Sequence, residues 1–408
     1  MTEVLTPGDA EAAREAVEWA AAEEMPLEIV GAGTKRGLGR PVQAAHLLDV
    51  SGLTGVTLYE PAELVMSARP GTRLAEVEAL LAEHDQQLAF EPPDLGPLMG
   101  GAAGRGTIGG VFAGNLSGPR RVKAGAARDH FLGVQAITGR GEAIKAGGRV
   151  VKNVTGYDLC KLFAGSWGTL AVMTELTFKV LPAPEKVRTV LIFGLDDAAA
   201  GDAMRAALAS PHEVASAAHL PAGLAAKSAV GYVSGAGAAV TAVRVEGPAA
   251  STEHRCQALR ELLGAGGGAV EELHGMNSST LWRELRDAAP LAGDDERVVW
   301  RLSVPPTEGA AVVARVAAAA DVTAYYDWGG GLVWLSLAAS DGGGAATVRD
   351  AIAETGGHAT LVRADASLRG AIAVFQPQEA ALADLTRRVK DGFDPRRILN
   401  PGRMYAGV

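Results

Sequence analysis

Three segments of this chain combine residue types and spacings that could do chemistry. The first is Gly31-Ala32-Gly33-Thr34-Lys35-Arg36-Gly37, which follows directly on the apolar run Leu27-Glu28-Ile29-Val30. Glycines let successive backbone N–H groups converge on an anion, and Lys35 and Arg36 add full positive charges. An ordinary glycine turn with exposed cations has the same composition. The pattern is neither a GxGxxG that opens a helix nor GxxxxGK[ST], so a nucleotide held here sits in neither a Rossmann nor a P-loop site. The second segment runs from Thr107-Ile108-Gly109-Gly110 to Gly118. Paired glycines permit close approach to a flat ligand, with Asn115 and Ser117 available to its polar edge; a flexible glycine-rich loop is the alternative. The third covers Val151 to Leu162 and then Gly165-Ser166-Trp167-Gly168-Thr169-Leu170, where polar groups alternate with strongly apolar ones. Cys160 falls on an apolar face there and reads as a core residue.

The elements that must position these segments follow from periodicity and turn chemistry. Residues 8–24 read as an amphipathic helix with Ala12, Ala16, Trp19 and Ala20 on one face. Strands are expected at 27–30, 46–50, 56–59 and 64–69, and a helix N-capped by Thr72 through about His84. Pro92-Pro93 makes residues 90–94 an irregular turn. Glycine is dense from Gly100 to Gly125, and structure resumes at once with a strand from Phe131 to Thr138, so the glycine segment reads as wrapped around something. A hairpin at Arg140-Gly141 leads to residues 142–152, then a helix from Asp158 to Phe163 and a strand from Leu170 to Val180. Leu181-Pro182-Ala183-Pro184 reads as a boundary. Beyond it, strand candidates at 187–194, 214–220, 239–245, 297–304, 321–327, 332–338 and 358–363 alternate with helical stretches at 197–209, 249–263, 278–289, 307–319 and 344–354. This rhythm predicts an antiparallel sheet with helices on one face. A last helix at about 377–391 precedes a tail whose Phe393, Ile398, Leu399, Met404 and Tyr405 favour burial. The expected organisation is residues 1–182, 183–385 and a C-terminal segment, 386–408, that returns to the first domain.

Bulk properties narrow the function classes. At 408 residues the chain is too long for one typical domain, and 48% hydrophobic residues supply ample core. A net charge of −9 argues against a nucleic-acid partner. The two cysteines, Cys160 and Cys256, are far apart and read as reduced thiols, and the N-terminus lacks a signal-peptide pattern. No apolar run is long enough to span a membrane, and no histidine pair has metal-ligand spacing. A cytoplasmic location is expected, with attachment to the inner face of a membrane only through partners.

Together the segments resemble the FAD-binding domain of the vanillyl-alcohol oxidase and p-cresol methylhydroxylase (PCMH) type. Gly31 to Arg36 matches that family's pyrophosphate loop, and Thr107 to Ser117 matches its glycine-rich approach to the ribityl chain and flavin. Gly156 to Glu175 matches its GYDL…GS-x-GTL-x-V-x-TE stretch, and Asp394 to Gly402 its DP-x-x-I-x-NPG tail. Within the family, PLEIVGAGTKRGLGRP, FEPPD, TIGG-x-x-A-x-N-x-SGPRR and GRVVKNVTGYDLCKLFAGSWGTLAV are most similar to the FAD-binding E subunits of bacterial glycolate oxidase. The resemblance implies an α+β protein, a PCMH-type FAD domain plus a cap domain. It also implies FAD, expected to be non-covalent because no histidine or cysteine lies between Gly31 and Arg36 or in the 100–125 loop, and a complex with a larger flavoprotein subunit and an iron–sulfur subunit that oxidises glycolate to glyoxylate. The cofactor-binding residues it implies are Gly31, Ala32, Gly33, Thr34, Lys35, Arg36, Thr107, Gly109, Gly110, Asn115, Ser117, Gly156, Asp158, Gly165, Gly168, Thr169, Val172 and Asn400, the last offering its amide to the cofactor.

Two departures from the family pattern matter. Thr34 stands where covalent members carry the flavin-linking histidine. The stretch Asp327-Trp328-Gly329-Gly330-Gly331-Leu332-Val333-Trp334 stands where catalytic 2-hydroxy-acid dehydrogenases carry His-x-Gly-Asp-Gly-Asn-x-His, and both histidines are missing. No catalytic base is visible; Tyr325, Tyr326, Asp327 and Arg363 are the polar candidates, and His358 reads as structural. A self-sufficient FAD-dependent dehydrogenase of a small hydroxy acid or alcohol, and a catalytically silent subunit, remain alternative readings.

Overall fold

A computed structural model describes residues 3–149, 156–264, 269–338 and 341–408. The end of the expected 142–152 segment and the stretch from Val151 to Thr155 lie outside the described residues. The described residues are α+β, built on one small parallel sheet, a two-stranded antiparallel pair and two larger antiparallel sheets.

Helix Ala10–Ala22 begins where the Asp9 carboxylate accepts the Ala12 N–H at 2.8 Å. It buries Ala13, Val17 and Ala20, so the buried stripe is shifted from the one expected, and Trp19 stays 40% exposed. This helix packs near a parallel sheet ordered Glu3–Leu5, His46–Asp49, Leu27–Val30. The strand at 3–5 was not expected. An antiparallel sheet follows, ordered Val56–Glu60, Val65–Ala68, Ala171–Lys179, Phe131–Thr138, Ala143–Gly147. Helices Leu74–Ala82 and Ile108–Gly114 supply Leu74, Val77, Leu81, Ile108, Val111 and Phe112 to its core. Thr72 is not the cap of the first of these. Arg73 holds that position, and the Thr72 hydroxyl instead accepts from Gly55 N–H and donates to the Arg69 carbonyl. The glycine-dense stretch is not all loop: after irregular residues 100–106 it contains the helix Ile108–Gly114, N-capped by Thr107, whose Oγ1 accepts from Gly110.

Residues 186–363 form an eight-stranded antiparallel sheet, ordered Val270–His274, Lys186–Phe193, Val240–Gly247, Ser216–Leu220, Val322–Asp327, Leu332–Leu337, Val298–Ser303, His358–Arg363. The first of these strands was not expected. Both faces of the sheet are covered, which corrects the one-face expectation. Alternation along the strands sends Val190, Trp300, Tyr326, Val333 and Leu335 to one core with helices Asp197–Ala209, Ala249–Gly264, Gly309–Ala317 and Ala345–Ala353. Leu191, Val299, Tyr325, Leu332 and Trp334 go to the other, with helix Gly275–Arg286 and with Leu38, Leu95 and Leu98 from the N-terminal half.

Ionic and main-chain ties fix the halves together. Glu91, in the Pro92-Pro93 turn, accepts two bonds from Arg244 at 2.8 and 2.6 Å and one from the Arg120 N–H. Burial pushes its carboxyl up, but Arg244 and Arg120 outweigh this and hold it at about 2. The C-terminal segment lies on the first strands. Leu27 N–H donates to Ile398 O at 2.7 Å, and Asn400 N–H to Leu27 O at 2.9 Å.

Candidate functional site

Two cavities lie on either side of Trp167, which walls both. The first spans about 750 Å³, its open mouth included, and is framed by strand Leu27–Val30, the Gly31–Arg36 turn, the start of helix Ile108–Gly114 and the tail. Twelve expected residues line it: Gly31, Ala32, Gly33, Thr34, Lys35, Arg36, Thr107, Gly109, Gly110, Gly168, Val172 and Asn400. Among the described residues, nothing accepts the N–H groups of Ala32, Gly33, Thr34 or Lys35. Four consecutive free donors beside a cavity suit an anion. Lys35 has no carboxylate within ion-pair distance among the described residues, and burial lowers its ammonium to about 8. Arg36 differs. Its guanidinium donates to Glu28 at 2.8 and 2.5 Å, which neutralises one of the two expected cations.

Several glycines are required sterically. A Cβ at Gly31 would stand 2.9 Å from Thr107 Oγ1, and one at Gly109 would stand 2.6–2.9 Å from Pro70 atoms, so Gly109 serves helix packing. Gly168 has φ +71, and a Cβ there would meet Asn400 Nδ2 at 2.8 Å. Asn400 Oδ1 accepts from Ile29 N–H at 2.8 Å and its Nδ2 donates to Trp167 O at 2.8 Å. The amide expected at the cofactor is therefore spent joining the strand, the tail and the Gly165–Thr169 turn.

The other expected residues lie elsewhere. Asn115 and Ser117 line the second cavity, yet Asn115 Oδ1 accepts from Arg128 N–H and Ser117 Oγ from Ala127 N–H. Gly165 lines that cavity as well. Gly156 is exposed, Asp158 caps helix Leu159–Phe163 through the Lys161 N–H, and the buried Thr169 hydroxyl donates to Ser166 O. Residues not anticipated at the first cavity include Pro70, Trp167, Met173 and Arg403. Arg403 donates to Lys35 O at 2.7 Å, and burial lowers its guanidinium to about 10. Its being the one charged side chain after Asn400 was the available signal for it.

The second cavity spans about 1260 Å³, its open mouth included, between the two halves. Asp327 and Trp334, the two positions the resemblance would fill with histidine, both line it. Burial raises the Asp327 carboxyl to about 7, while its Oδ1 accepts from Trp328 N–H at 2.7 Å. Trp328 has φ 52, a left-handed conformation that costs a bulky residue on the order of 1–3 kcal/mol. Its Nε1 donates to Gly118 O at 3.0 Å. The other polar candidates are committed elsewhere. Tyr325 donates to Leu285 O, Tyr326 to Asp197, and Arg363 to four main-chain carbonyls. His358 begins strand His358–Arg363, as expected, and is exposed at the lining of this cavity. Arg121 and Arg301 also line it, and sequence reading missed both.

Comparison with known proteins completes the description. Residues 2–147 match the family described as FAD binding domain, and residues 376–404 match FAD linked oxidases, C-terminal domain. The chain is 35% identical over 394 residues to glycolate oxidase subunit GlcE of Escherichia coli (strain K12), covering 96% of each. Among solved structures, 4-ethylphenol oxidase from Gulosibacter chungangensis superposes with TM-score 0.75 at 16% identity, over 99% of this chain and 89% of that one. p-Cresol methylhydroxylase gives TM-score 0.70 at 15% identity, over 98% and 88%. No helix among the described residues is long and apolar enough to cross a membrane. The chain belongs to the FAD-linked oxidases, a family of FAD-binding oxidoreductases, in the group that includes glycolate oxidase subunit GlcE.

Proposed function

We propose that this chain is the FAD-binding subunit of a complex that oxidises glycolate, a 2-hydroxy acid, to glyoxylate. The observation that carries the reading is the end-to-end likeness to a glycolate oxidase subunit, 96% of both chains, joined to a cavity built for an anion. The free N–H groups of Ala32 to Lys35 and the unpaired Lys35 ammonium would hold the pyrophosphate, replacing its water with fixed donors. Thr107, Gly110, Val172 and Met173 would wall the remainder of the nucleotide, and Trp167 would separate it from the second cavity. FAD, when bound, takes up the two electrons released by the substrate.

The proposed partners are a larger flavoprotein subunit and an iron–sulfur subunit, which carry electrons onward. The proposed organisation is a FAD domain over residues 1–182, a cap over 183–385 and a tail, 386–408, that closes the FAD site. The two free, buried cysteines support a reducing, cytoplasmic setting, with any membrane contact made through partners.

Among the described residues, no histidine or cysteine lines the first cavity, which supports non-covalent attachment there. Acid treatment of the purified chain, followed by chromatography of the supernatant, should release one intact FAD per chain. A colourless chain that FAD does not reconstitute would overturn the cofactor assignment, and flavin that stays with the denatured polypeptide would overturn non-covalent attachment.

A further inference from the structure

The second cavity contains a charge arrangement that the cofactor site does not use. Arg121 Cζ lies 4.3 Å from the Trp328 ring centroid and Arg301 Cζ 5.0 Å from the same ring, with Trp334 a further 6.0 Å neighbour of Arg301. Neither guanidinium donates a hydrogen bond to, or pairs with a carboxylate of, any described residue. The third arginine of the lining, Arg286, is neutralised by Asp287 at 2.7 and 2.9 Å. Two unneutralised guanidinium groups at one ring repel each other and are poorly hydrated. Aromatic stacking returns less than withdrawal of a full positive charge from water costs. An anion between them removes that imbalance. The planar guanidinium fork fits a carboxylate bidentately.

The geometry assigns Arg121 and Arg301, fixed against Trp328, as the carboxylate clamp of this chain's own substrate site, one that takes a small 2-hydroxy or 2-oxo acid. This rests on the proposed glycolate-oxidising function and deepens it, because it places acid recognition on this subunit rather than only on a partner. The surrounding structure supports a built site. Trp328 is held in its left-handed conformation by two hydrogen bonds, to Gly118 O and from its own N–H to Asp327, and is followed by the buried Gly329 and Gly330, whose φ of 67 and 98 only glycine adopts readily. The cavity shares Trp167 with the cofactor cavity, so an acid held by the clamp sits across one side chain from the first site. Burial and the nearby Arg121 lower Arg301 only to about 10, so it stays a cation at neutral pH.

The test is equilibrium dialysis of radiolabelled oxalate, an unreactive mimic of the acid, against the purified full chain, with flavin content read from visible absorbance in parallel. Wild type should bind oxalate saturably. Arg121→Met and Arg301→Met should each weaken it at least tenfold with flavin content unchanged, and Arg301→Lys should recover part of the loss. If wild type holds no flavin yet binds oxalate with the same dependence on both arginines, the clamp stands and the cofactor reading fails. The clamp is overturned if oxalate binding is absent in flavin-loaded wild type, or is unaffected by either Met variant. It is also overturned if the Met variants lose flavin while binding oxalate normally.

Discussion

Lys390 and Asp394 form an ion pair with no solvent exposure, Nζ to Oδ2 at 2.7 Å. The ammonium also donates to Thr169 O at 2.6 Å and Leu399 O at 2.9 Å, and the carboxylate accepts from Ile398 and Leu399 N–H groups. One pair thus joins the final helix, Ala380–Phe393, the tail and the Gly165–Thr169 turn. Removing one partner strands a buried charge. Lys390→Met should destabilise the protein by about 3–5 kcal/mol, read as a shift in the urea midpoint. Little or no shift would show that the latch contributes nothing.

Deleting residues 392–408 removes Asp394 and Asn400 but leaves every residue of the Gly31–Arg36 turn. FAD affinity should fall sharply, because Asn400 holds both Ile29 and Trp167 beside the first cavity. Flavin fluorescence titration measures this. Affinity equal to that of the full chain would remove the tail from the site.

Gly110→Val and Gly168→Val should both abolish FAD binding, for different reasons. A Cβ at Gly110 stands 3.4 Å from Lys35 Nζ, so a valine pushes into the cavity beside the free cation. At Gly168 the positive φ and the contact with Asn400 distort the turn itself. Gly168→Val should therefore also lower the melting temperature, while Gly110→Val should leave it nearly unchanged. Stoichiometric FAD in either variant counts against that placement.

Lys35 titrates near 8 in the free protein, so its charge is present below that pH and lost above it. FAD affinity should weaken as pH rises through 8, and more so at low ionic strength. Lys35→Met should weaken binding at neutral pH by about tenfold or more, roughly 1.4 kcal/mol per decade, and flatten the pH profile. Parallel profiles in wild type and variant would exclude Lys35 as the responsible group.

Asp327 carries a pH signature of opposite origin. Folding raises its carboxyl from 3.8 to about 7 by burial. The stability it contributes is complete below its unfolded value and is lost as pH rises through the folded one. Melting of the anion-free protein should therefore decline between about pH 4 and 7 by up to roughly 4 kcal/mol from this group. Asp327→Asn should remove that decline; the same slope in both proteins would place Asp327 in water.

What the sequence determined by itself was local. A strand running into Gly31–Gly37, the Pro92-Pro93 turn and seven of the eight strands of the large sheet are written in turn chemistry and period-two alternation, which act over a few residues. The resemblance across widely separated motifs added the cofactor. The tertiary structure decided which groups remain available for chemistry. Glu28 takes Arg36 and leaves Lys35, backbone N–H groups take Asn115 and Ser117, and Ile29 and Trp167 take Asn400. It also brought Arg121 and Arg301 to one indole ring from opposite halves of the chain. A side chain's partners are set by which distant elements pack beside it. Hydrogen-bond and ion-pair neutralisation are fixed at that step, and no local pattern records them.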